Sequence, residues 1–527
     1  MEFENLKSRW PLAYDLCGSA LPCRIEGEVQ DLVVYGEIPK EIDGTFYRVM
    51  TDPLVPPHPQ NVPIDGDGTV SAFRFRDGRV DFKMRYVETE RYLLERAANR
   101  HLFGLYRNPY TYHPCVRAAV DSTANTNVVL WAGRLLALKE GGLPYEVDPD
   151  TLDTLRYNPF GQVRAKTFTA HPKVDPYTNE LVVFGYEATG LASDDIVIYT
   201  LDNDGVKRDE QWIKSPWVAL IHDCAITPNW LVLVLWPFEA NIERMKKGGH
   251  HWAYDYSKGA TFIVVPRRAS TPRPPGWAPD EKSRVYHWDN AMLGHTGGGW
   301  ESPDGGTIYV QTTRASDNVF PWFPAEDGRV PAPDTKLDFA RWSIDLTRPT
   351  GTRLPDPEVL VDRACEFPRV DERLHTRAND VLFLNVSVPK DGPTEPESGR
   401  DSDGPMYAHG LDGVAMHRYS TGEIRYFYAG PDSLAQEPIF IPRSEDAAEG
   451  DGWVMTLVER KAANRNDIVI LDTRDFEHPI AVVQLPLHIK SQIHGNWVDY
   501  SQLKEGKLLV RNAVVQKISG QGALEPL

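Results

Sequence analysis

The sequence predicts an all-β protein and, more specifically, a β-propeller, in which sheets are arranged as blades around a central axis. Three observations indicate this fold: strand-like runs fill most of the 527 residues, turn residues separate them, and helical periodicity is rare. The 40 glycines and 42 prolines are spread along the chain, which suits many short strands joined by turns. We therefore expect residues 1–527 to form one domain. Two successive β-sandwiches are the alternative that this pattern leaves open.

Most strands are predicted as hairpins, in which two apolar or alternating runs flank a turn built on Asp, Gly or Thr-Gly. Examples are VSAFRFRDGRVDFKMRYV (70–87), IVIYTLDNDGVKRDEQWI (196–213), VAMHRYSTGEIRYFYAG (414–430) and IVILDTRDFEHPIAVVQLPL (468–487). Residues 6–16 and 90–106 are the best helix candidates, whereas 219–227 is too short and too rich in β-branched residues. Residues 389–405 are predicted to be a flexible polar insertion within the fold.

The composition excludes several classes of function. A net charge of −18 argues against nucleic-acid binding, which needs a basic surface. No run reaches the roughly 18 apolar residues of a membrane span, and the first residues lack the pattern of a secretory signal. We therefore expect a cytoplasmic protein. Its five cysteines, an odd number without a C-x-x-C pair, are expected to be reduced, buried thiols: Cys17, Cys23, Cys115, Cys224 and Cys365.

Four of the 15 histidines lie at or between strand-like runs that are far apart in the chain. They are His171 in TAHPKVDP, His222 in IHDCAIT, His287 in YHWDNA and His494 in IHGNW. Such histidines would converge if they lay on a propeller axis, and neutral imidazoles there could hold a metal ion. Taken singly, each is more typical of an ordinary core or strand-end histidine than of a metal ligand.

These four segments together resemble the four histidine motifs of the carotenoid cleavage oxygenase family. The resemblance extends to EIDGTFYRV (41–49), IDGDGTVSAFRF (64–75), CEFPRVDER (365–373) and EPIFIPR (437–443), in the same order. It implies a seven-bladed β-propeller with a few helices and loops that cap the active-site face. It also implies a non-haem Fe(II) ion held by His171, His222, His287 and His494.

The resemblance further implies three glutamates that accept hydrogen bonds from the ligand histidines: Glu140, Glu366 and Glu437. Such a carboxylate fixes the tautomer of a ligand imidazole and raises its basicity. Among the other histidines, His250 and His251 lie in a polar turn, and they cannot both face one metal from a strand. His295 lies close to His287, but His287 stands in the H-x-x-N-A pattern of the family and is therefore preferred.

The family cleaves carbon–carbon double bonds with O2 and forms two carbonyl products. Tyr106 and Lys139, 33 residues apart, resemble the pair that grips the 4-hydroxyl group in the branch acting on lignostilbene and resveratrol. A buried lysine can take or stabilise a phenol proton. The predicted substrates are therefore stilbenes, or phenylpropenes such as isoeugenol and 4-vinylguaiacol, and the predicted products are 4-hydroxybenzaldehyde or vanillin.

Other functions compete with this prediction. The nearest alternative keeps the enzyme and replaces the phenolic alkene with an apocarotenoid, although the region 90–112 is more charged than a membrane-docking segment. A propeller that serves only as a protein-interaction platform would not need the complete set of motif residues. A propeller hydrolase would need a pair of carboxylates, and no such pair stands out.

Overall fold

Seven β-sheets account for most of the protein. The computed structural model describes residue 10 and residues 21–389 and 411–503. The predicted helix at 6–16, apart from Trp10, and the predicted insertion at 389–405, apart from Pro389, lie outside these residues. The sheets are the blades of a seven-bladed β-propeller, as expected, and each contains four to six strands.

The first four blades are antiparallel sheets, apart from one short parallel pairing in blade 4. Blade 1 consists of β1 (Gly27–Val29), β3 (Gly44–Thr51), β4 (Gly68–Arg76), β5 (Arg79–Tyr86) and β33 (Gln492–Asp499). Blade 2 consists of β6 (Asn127–Trp131), β7 (Arg134–Leu138), β8 (Tyr145–Val147) and β9 (Thr154–Tyr157). Blade 3 consists of β10 (Lys173–Asp175), β11 (Glu180–Tyr186), β12 (Asp195–Leu201) and β13 (Lys207–Lys214). Blade 4 consists of β14 (Ala219–Ile226), β15 (Trp230–Ala240), β16 (Trp252–Tyr254), β17 (Thr261–Pro266), β18 (Arg284–His287) and β22 (Thr352–Arg353).

The last three blades complete the ring. Blade 5 consists of β19 (Met292–Glu301), β20 (Thr307–Ala315), β21 (Leu337–Asp345) and β23 (Glu358–Val361). Blade 6 consists of β24 (Cys365–Arg369), β25 (Val381–Val386), β26 (Gly413–Arg418) and β27 (Glu423–Tyr428). Blade 7 consists of β2 (Val33–Gly36), β28 (Ser433–Ala435), β29 (Ile439–Pro442), β30 (Gly452–Arg460), β31 (Arg465–Asp472) and β32 (Asp475–Gln484).

Two blades combine strands from both ends of the described chain. In blade 1, β33 pairs with β3, so that Phe46 lies opposite Trp497. In blade 7, β2 pairs with β32, so that Val34 lies opposite Val483. Propellers protect their sheet edges by this kind of radial repetition, and here the late strand β33 joins an early sheet to complete the ring.

The hydrophobic core lies between blades, where the apolar faces of neighbouring sheets meet. The largest clusters join blade 3 to blade 4, blade 1 to blade 7, and blade 4 to blade 5. The first strands of successive blades also contact one another, as β14 contacts β19 and β19 contacts β24. These first strands therefore surround the axis, and side chains on them can converge.

The described residues contain two α-helices, α1 (Glu90–Ala98) and α2 (Ile242–Lys246). The helix predicted at 90–106 is confirmed only as far as Ala98, because Asn99 adopts a left-handed conformation that ends it. The part of the chain that the structure describes also contains five short 3-10 helices, at Pro109–Thr111, Pro114–Val116, Glu372–Leu374, Lys461–Ala463 and Tyr500–Gln502. No helix among the described residues is long and apolar enough to cross a membrane.

The cysteines are free, as expected, where the structure describes them. Cys224 and Cys365 are buried, but Cys115 is exposed and Cys23 is partly exposed, so the expectation of burial is wrong for these two. Cys17 lies outside the described residues.

Candidate active site

Four histidines converge at the propeller axis. His171 lies just before β10, His222 lies on β14, His295 on β19 and His494 on β33. The Nε2 atom of His222 is 3.1 Å from that of His171 and 3.0 Å from that of His295. The Nε2 atoms of His295 and His494 are 3.1 Å apart, and all four ligand atoms lie within 4.8 Å of one another.

The structure corrects one predicted member of this group. His287 ends β18, the fourth strand along the blade 4 sheet from β14, and it does not join the four-histidine group. His295 takes its place because it lies on β19, the first strand of the next blade. The prediction of His287 was therefore wrong. The H-x-x-N-A pattern favoured His287 over His295, which follows only eight residues later.

Three of the histidines are oriented by the three predicted glutamates. The Nδ1 atom of His222 forms a short hydrogen bond with Glu140. The Nδ1 atom of His295 is 2.7 Å from Glu366 Oε2, and that of His494 is 3.1 Å from Glu437 Oε1. A carboxylate at Nδ1 holds a proton there and leaves the Nε2 lone pair free.

The glutamates are charged despite their burial. Burial raises the pKa of Glu140, but the neighbouring His222 outweighs it and brings the pKa down to about 2. The same balance, with His494 and Arg369 as the opposing groups, lowers the pKa of Glu437 to about 2. Burial lowers the pKa of His494 to about 4, so this ring is neutral near pH 7.

The convergence of these lone pairs suits a metal ion. Nitrogen atoms bound at about 2.1 Å to one ion lie about 3.0 Å apart at right angles, and about 3.4 Å apart at tetrahedral angles. The observed separations of 3.0 and 3.1 Å match right-angled positions. Four imidazole nitrogens in such positions fit an ion with open coordination sites better than a closed tetrahedral zinc site.

His171 differs from its three partners. Among the described residues, no carboxylate is hydrogen-bonded to its ring, and its backbone N–H donates to Thr169 Oγ1 at 2.9 Å. Burial and the three neighbouring histidines lower its pKa well below the ordinary value. The ring is therefore neutral, and it is held by the backbone and by edge-on packing against the rings of His222 and His494.

A cavity opens over the other three histidines. Its wall contains His222, His295 and His494 but not His171. Most of the remaining wall is apolar or aromatic and includes Ile64, Tyr106, Tyr186, Leu220, Trp236, Met292, Phe320, Trp322 and Phe367. This cavity can hold a flat apolar or aromatic molecule against the histidine group.

Lys139 and Tyr106, the pair predicted to bind the substrate, both line this cavity. The Lys139 Nζ atom lies 4.8 Å from the centroid of the Tyr106 ring, and both side chains are 5% exposed. Strand β7 ends at Leu138, so strand alternation does not apply to the next two residues. Lys139 and Glu140 can therefore both face the site.

Two aromatic residues at the site escaped the sequence analysis. The Trp236 ring centroid lies 4.9 Å from that of His222, because Trp236 on β15 pairs with Leu220 on β14. The Phe367 ring lies 5.1 Å from that of His295, and Phe367 has a positive φ of 53°. The position of Phe367 directly after Glu366 was the available signal for it, whereas Trp236 carried none.

Comparisons with known proteins show to which family this chain belongs. Residues 20–499 match the family model described as retinal pigment epithelial membrane protein. Resveratrol cleavage oxygenase 1 of Botryotinia fuckeliana (strain B05.10) is 64% identical over 525 residues, which cover 99% of this chain and 92% of the relative. Isoeugenol monooxygenase of Pseudomonas nitroreducens is 39% identical over 491 residues, which cover 92% of this chain and 97% of the relative.

A solved structure shows the same fold. The lignostilbene dioxygenase of Pseudomonas brassicacearum superposes with a TM-score of 0.85 at 37% sequence identity. The match covers 93% of this chain and 99% of that one. The chain therefore belongs to the retinal pigment epithelial membrane protein family, which is the carotenoid cleavage oxygenase family, and it is an oxygenase.

Proposed function

We propose that this oxygenase cleaves a carbon–carbon double bond conjugated to a 4-hydroxyphenyl ring. The substrates are stilbenes such as resveratrol or lignostilbene, or phenylpropenes such as isoeugenol and 4-vinylguaiacol. The observation that carries the proposal is the buried pair of Lys139 and Tyr106 in the cavity that leads to the four histidines. The names of the relatives, which mention resveratrol, isoeugenol and lignostilbene, support the same class.

His171, His222, His295 and His494 would hold an Fe(II) ion through their Nε2 atoms. Nitrogen ligands with no carboxylate leave the ion its full dipositive charge, and imidazole suits iron among other metals. When bound, Fe(II) supplies the binding and activation of O2. The reaction consumes one alkene and one O2, breaks the C=C and O=O bonds, and forms two C=O bonds.

The residues of this chain act on the other end of the substrate. Lys139 receives the 4-hydroxyl group, and burial lowers the pKa of its amine, which favours a neutral amine able to accept the phenol proton. Transfer of this proton gives a phenolate and an ammonium ion next to each other. The phenolate pushes electron density into the conjugated double bond, which makes the alkene more reactive towards an oxidant.

The aromatic walls position the rest of the molecule. Phe320 stacks on Trp322, and Trp236 packs edge-on against Phe320, so these rings form a continuous face of the cavity. Such a face binds a planar conjugated substrate and excludes water from the reacting bond. We also propose that residues 1–527 act as one domain, which the pairing of β33 with β3 supports.

The test is to purify the protein without oxygen, load it with Fe(II), measure iron per chain, and then add O2 with candidate substrates. Resveratrol, isoeugenol, 4-vinylguaiacol and an apocarotenal would be compared with the 4-methyl ethers of the phenols. We expect about one iron per chain, with 4-hydroxybenzaldehyde or vanillin formed from the phenols. Cleavage of the apocarotenal alone would contradict the phenolic substrate class and keep the oxygenase, and equal cleavage of the methyl ethers would contradict phenol activation.

A further inference from the structure

The amine of Lys139 is held from behind by two hydrogen-bond acceptors. Its Nζ atom lies 3.2 Å from Asn125 Oδ1 and 3.4 Å from the carbonyl oxygen of Ile64. An amine with two N–H bonds directed at these acceptors keeps a single further position, and Lys139 lines the cavity. In the neutral amine that position is a lone pair, and in the ammonium ion it is an N–H donor.

Asn125 cannot rotate its amide to offer Lys139 a donor instead. Its Nδ2 atom donates to the carbonyl oxygens of Ile64 at 3.1 Å and Gly66 at 2.8 Å. Its Oδ1 atom accepts from Lys139 and from the Thr126 hydroxyl at 3.1 Å. Asn125 is 1% exposed, and both N–H donors and the carbonyl of its amide are used, so the network fixes its orientation.

The segment that accepts the hydrogen bonds of Asn125, residues 64–66, is itself held in place by an ion pair. Asp65, between Ile64 and Gly66, forms a two-pronged ion pair with Arg91 at 2.9 and 3.2 Å. Arg91 also donates to Asp121 at 3.1 Å. This buried network fixes the position of the Ile64 carbonyl and, through it, the orientation of Asn125. The acceptors of Lys139 are thus rigid, as a preorganised site requires.

We propose that Asn125 is a positioning residue that aims the Lys139 amine at the substrate phenol and, being uncharged, leaves that amine free to change its protonation state. This inference rests on the proposed function, because it concerns how the phenol is met. A carboxylate at the same place would hold the lysine as an ammonium ion and would repel a phenolate nearby. An apolar side chain would leave the amine without its main acceptor.

Charged groups around Lys139 also affect the protonation of its amine, so the variants must not change them. Asp65, Glu140, Arg91 and Asp121 all act on the amine, and the Tyr106 ring lies against it. The variants Asn125→Asp and Asn125→Ala leave these residues in place. Asn125→Asp is nearly the same size as the original residue, so it changes the charge with little change in volume.

The matched control is a buried asparagine that does not line the cavity, although its partner on the neighbouring strand, Glu366, does. Asn385 on β25 is 0% exposed, and its amide donates to the carbonyl oxygens of Gly413 and Ala435, both at 2.9 Å. Its Oδ1 atom accepts from the backbone N–H of Leu411 at 2.9 Å. Asn385→Asp therefore reports the general cost of placing a carboxylate in a buried amide site. Bound iron and the thermal midpoint would be measured for every variant.

The probe is 4-hydroxybenzaldehyde, which has no alkene for the enzyme to cleave. Its phenolate form absorbs at longer wavelength than its phenol form. We expect wild-type protein to lower the pH at which the bound probe ionises. Asn125→Asp should raise that pH by one unit or more, and Asn125→Ala should weaken probe binding and kcat/KM for phenols about tenfold. The methyl ethers should be affected less than twofold, and Asn385→Asp should leave the ionisation of the probe unchanged.

Two different failures can be told apart. If wild-type protein ionises the probe and the Asn125 variants do the same with unchanged affinity, the role of Asn125 is overturned and the proposed function stands. If wild-type protein binds the probe without changing its ionisation, phenol activation by Lys139 is itself wrong, and the role of Asn125 falls with it. If Asn385→Asp raises the pH of probe ionisation as Asn125→Asp does, the role of Asn125 is also overturned.

Discussion

Lys139 brings a buried amine into a cavity that is otherwise walled mainly by apolar and aromatic side chains. Lys139→Met keeps the length and apolar stem of the side chain but removes the amine. If the amine accepts the phenol proton, kcat/KM for 4-hydroxylated substrates should fall 10²- to 10⁴-fold, as is typical for loss of a general base. Steady-state kinetics with resveratrol and isoeugenol would measure the loss, and bound iron should not change.

A second buried lysine provides the control for this variant. Lys83 on β5 is 4% exposed and pairs with Glu28 at 3.1 Å, away from the cavity. Lys83→Met tests the cost of removing a buried amine without touching the substrate. Equal kinetics in Lys139→Met and wild-type protein would contradict phenol activation, whatever Lys83→Met shows.

The choice between two histidines can also be tested at single residues. His295→Ala removes one of the four converging nitrogen atoms, whereas His287→Ala changes a side chain that lies outside the group. We expect His295→Ala and His222→Ala to lose most bound iron, and His287→Ala to retain it. Metal analysis of the anaerobically loaded proteins measures this directly. Full iron in His295→Ala together with full activity would remove that residue from the site.

At this scale the sequence located most of the site. His171, His222 and His494 lie together, and Glu140, Glu366 and Glu437 each contact a histidine of the group. The prediction failed for His287 because two histidines eight residues apart both lie on strands. Only the position of a strand within its blade separates them, and this depends on pairings between distant segments rather than on local pattern.

Strand β19 shows how an irregular element builds the site. Its pairing with β20 shifts register between Leu293 and Thr296, and again between Thr296 and Gly298. Bulges of this kind redirect side chains, and His295 lies inside the first shift. Directly before it, Gly294 leaves the space that Glu366 needs to reach His295. A Cβ atom on Gly294 would overlap Glu366 Oε1 and Thr313 Oγ1.

Gly294→Ala should therefore displace the Glu366 carboxylate and loosen His295. Loss of such an outer carboxylate typically costs 10- to 100-fold in metal affinity, so we expect a loss of iron affinity in this range. A metal titration would measure it. Gly27→Ala on β1 is the control, because no atom lies within 4 Å of its added Cβ. An unchanged affinity in Gly294→Ala would mean that iron binding does not depend on the present position of the Glu366 carboxylate.

Strands were predictable where both partners of a pair lie close together in the sequence. The four predicted hairpins form as β4–β5, β12–β13, β26–β27 and β31–β32, because each turn and both strands lie in one short segment. The first strands of the blades were harder to identify. They include bulged strands such as β14, and the short β10, whose form depends on packing around the axis.

The whole molecule joins distant blades at one point. His171, His222, His295 and His494 come from blades 3, 4, 5 and 1, and His494 lies on the strand that completes blade 1. A metal ion bound by all four would therefore tie together four blades, including one of the two that are built from both ends of the described chain. Because an unfolded chain cannot present these nitrogen atoms together, binding the ion stabilises the folded state.

Removal of the metal should thus lower the stability of the whole propeller. A ligand present at 100 times its Kd adds about 2.7 kcal/mol to the free energy of unfolding, so we expect chelation to lower the Tm by a few degrees. Calorimetry of iron-loaded and chelator-treated protein would measure the change, and restoring Fe(II) without oxygen should reverse it. His295→Ala should show the lower Tm with or without iron, whereas His287→Ala should still respond to the metal. A Tm that does not depend on iron in the wild-type protein would contradict an ion shared by four blades.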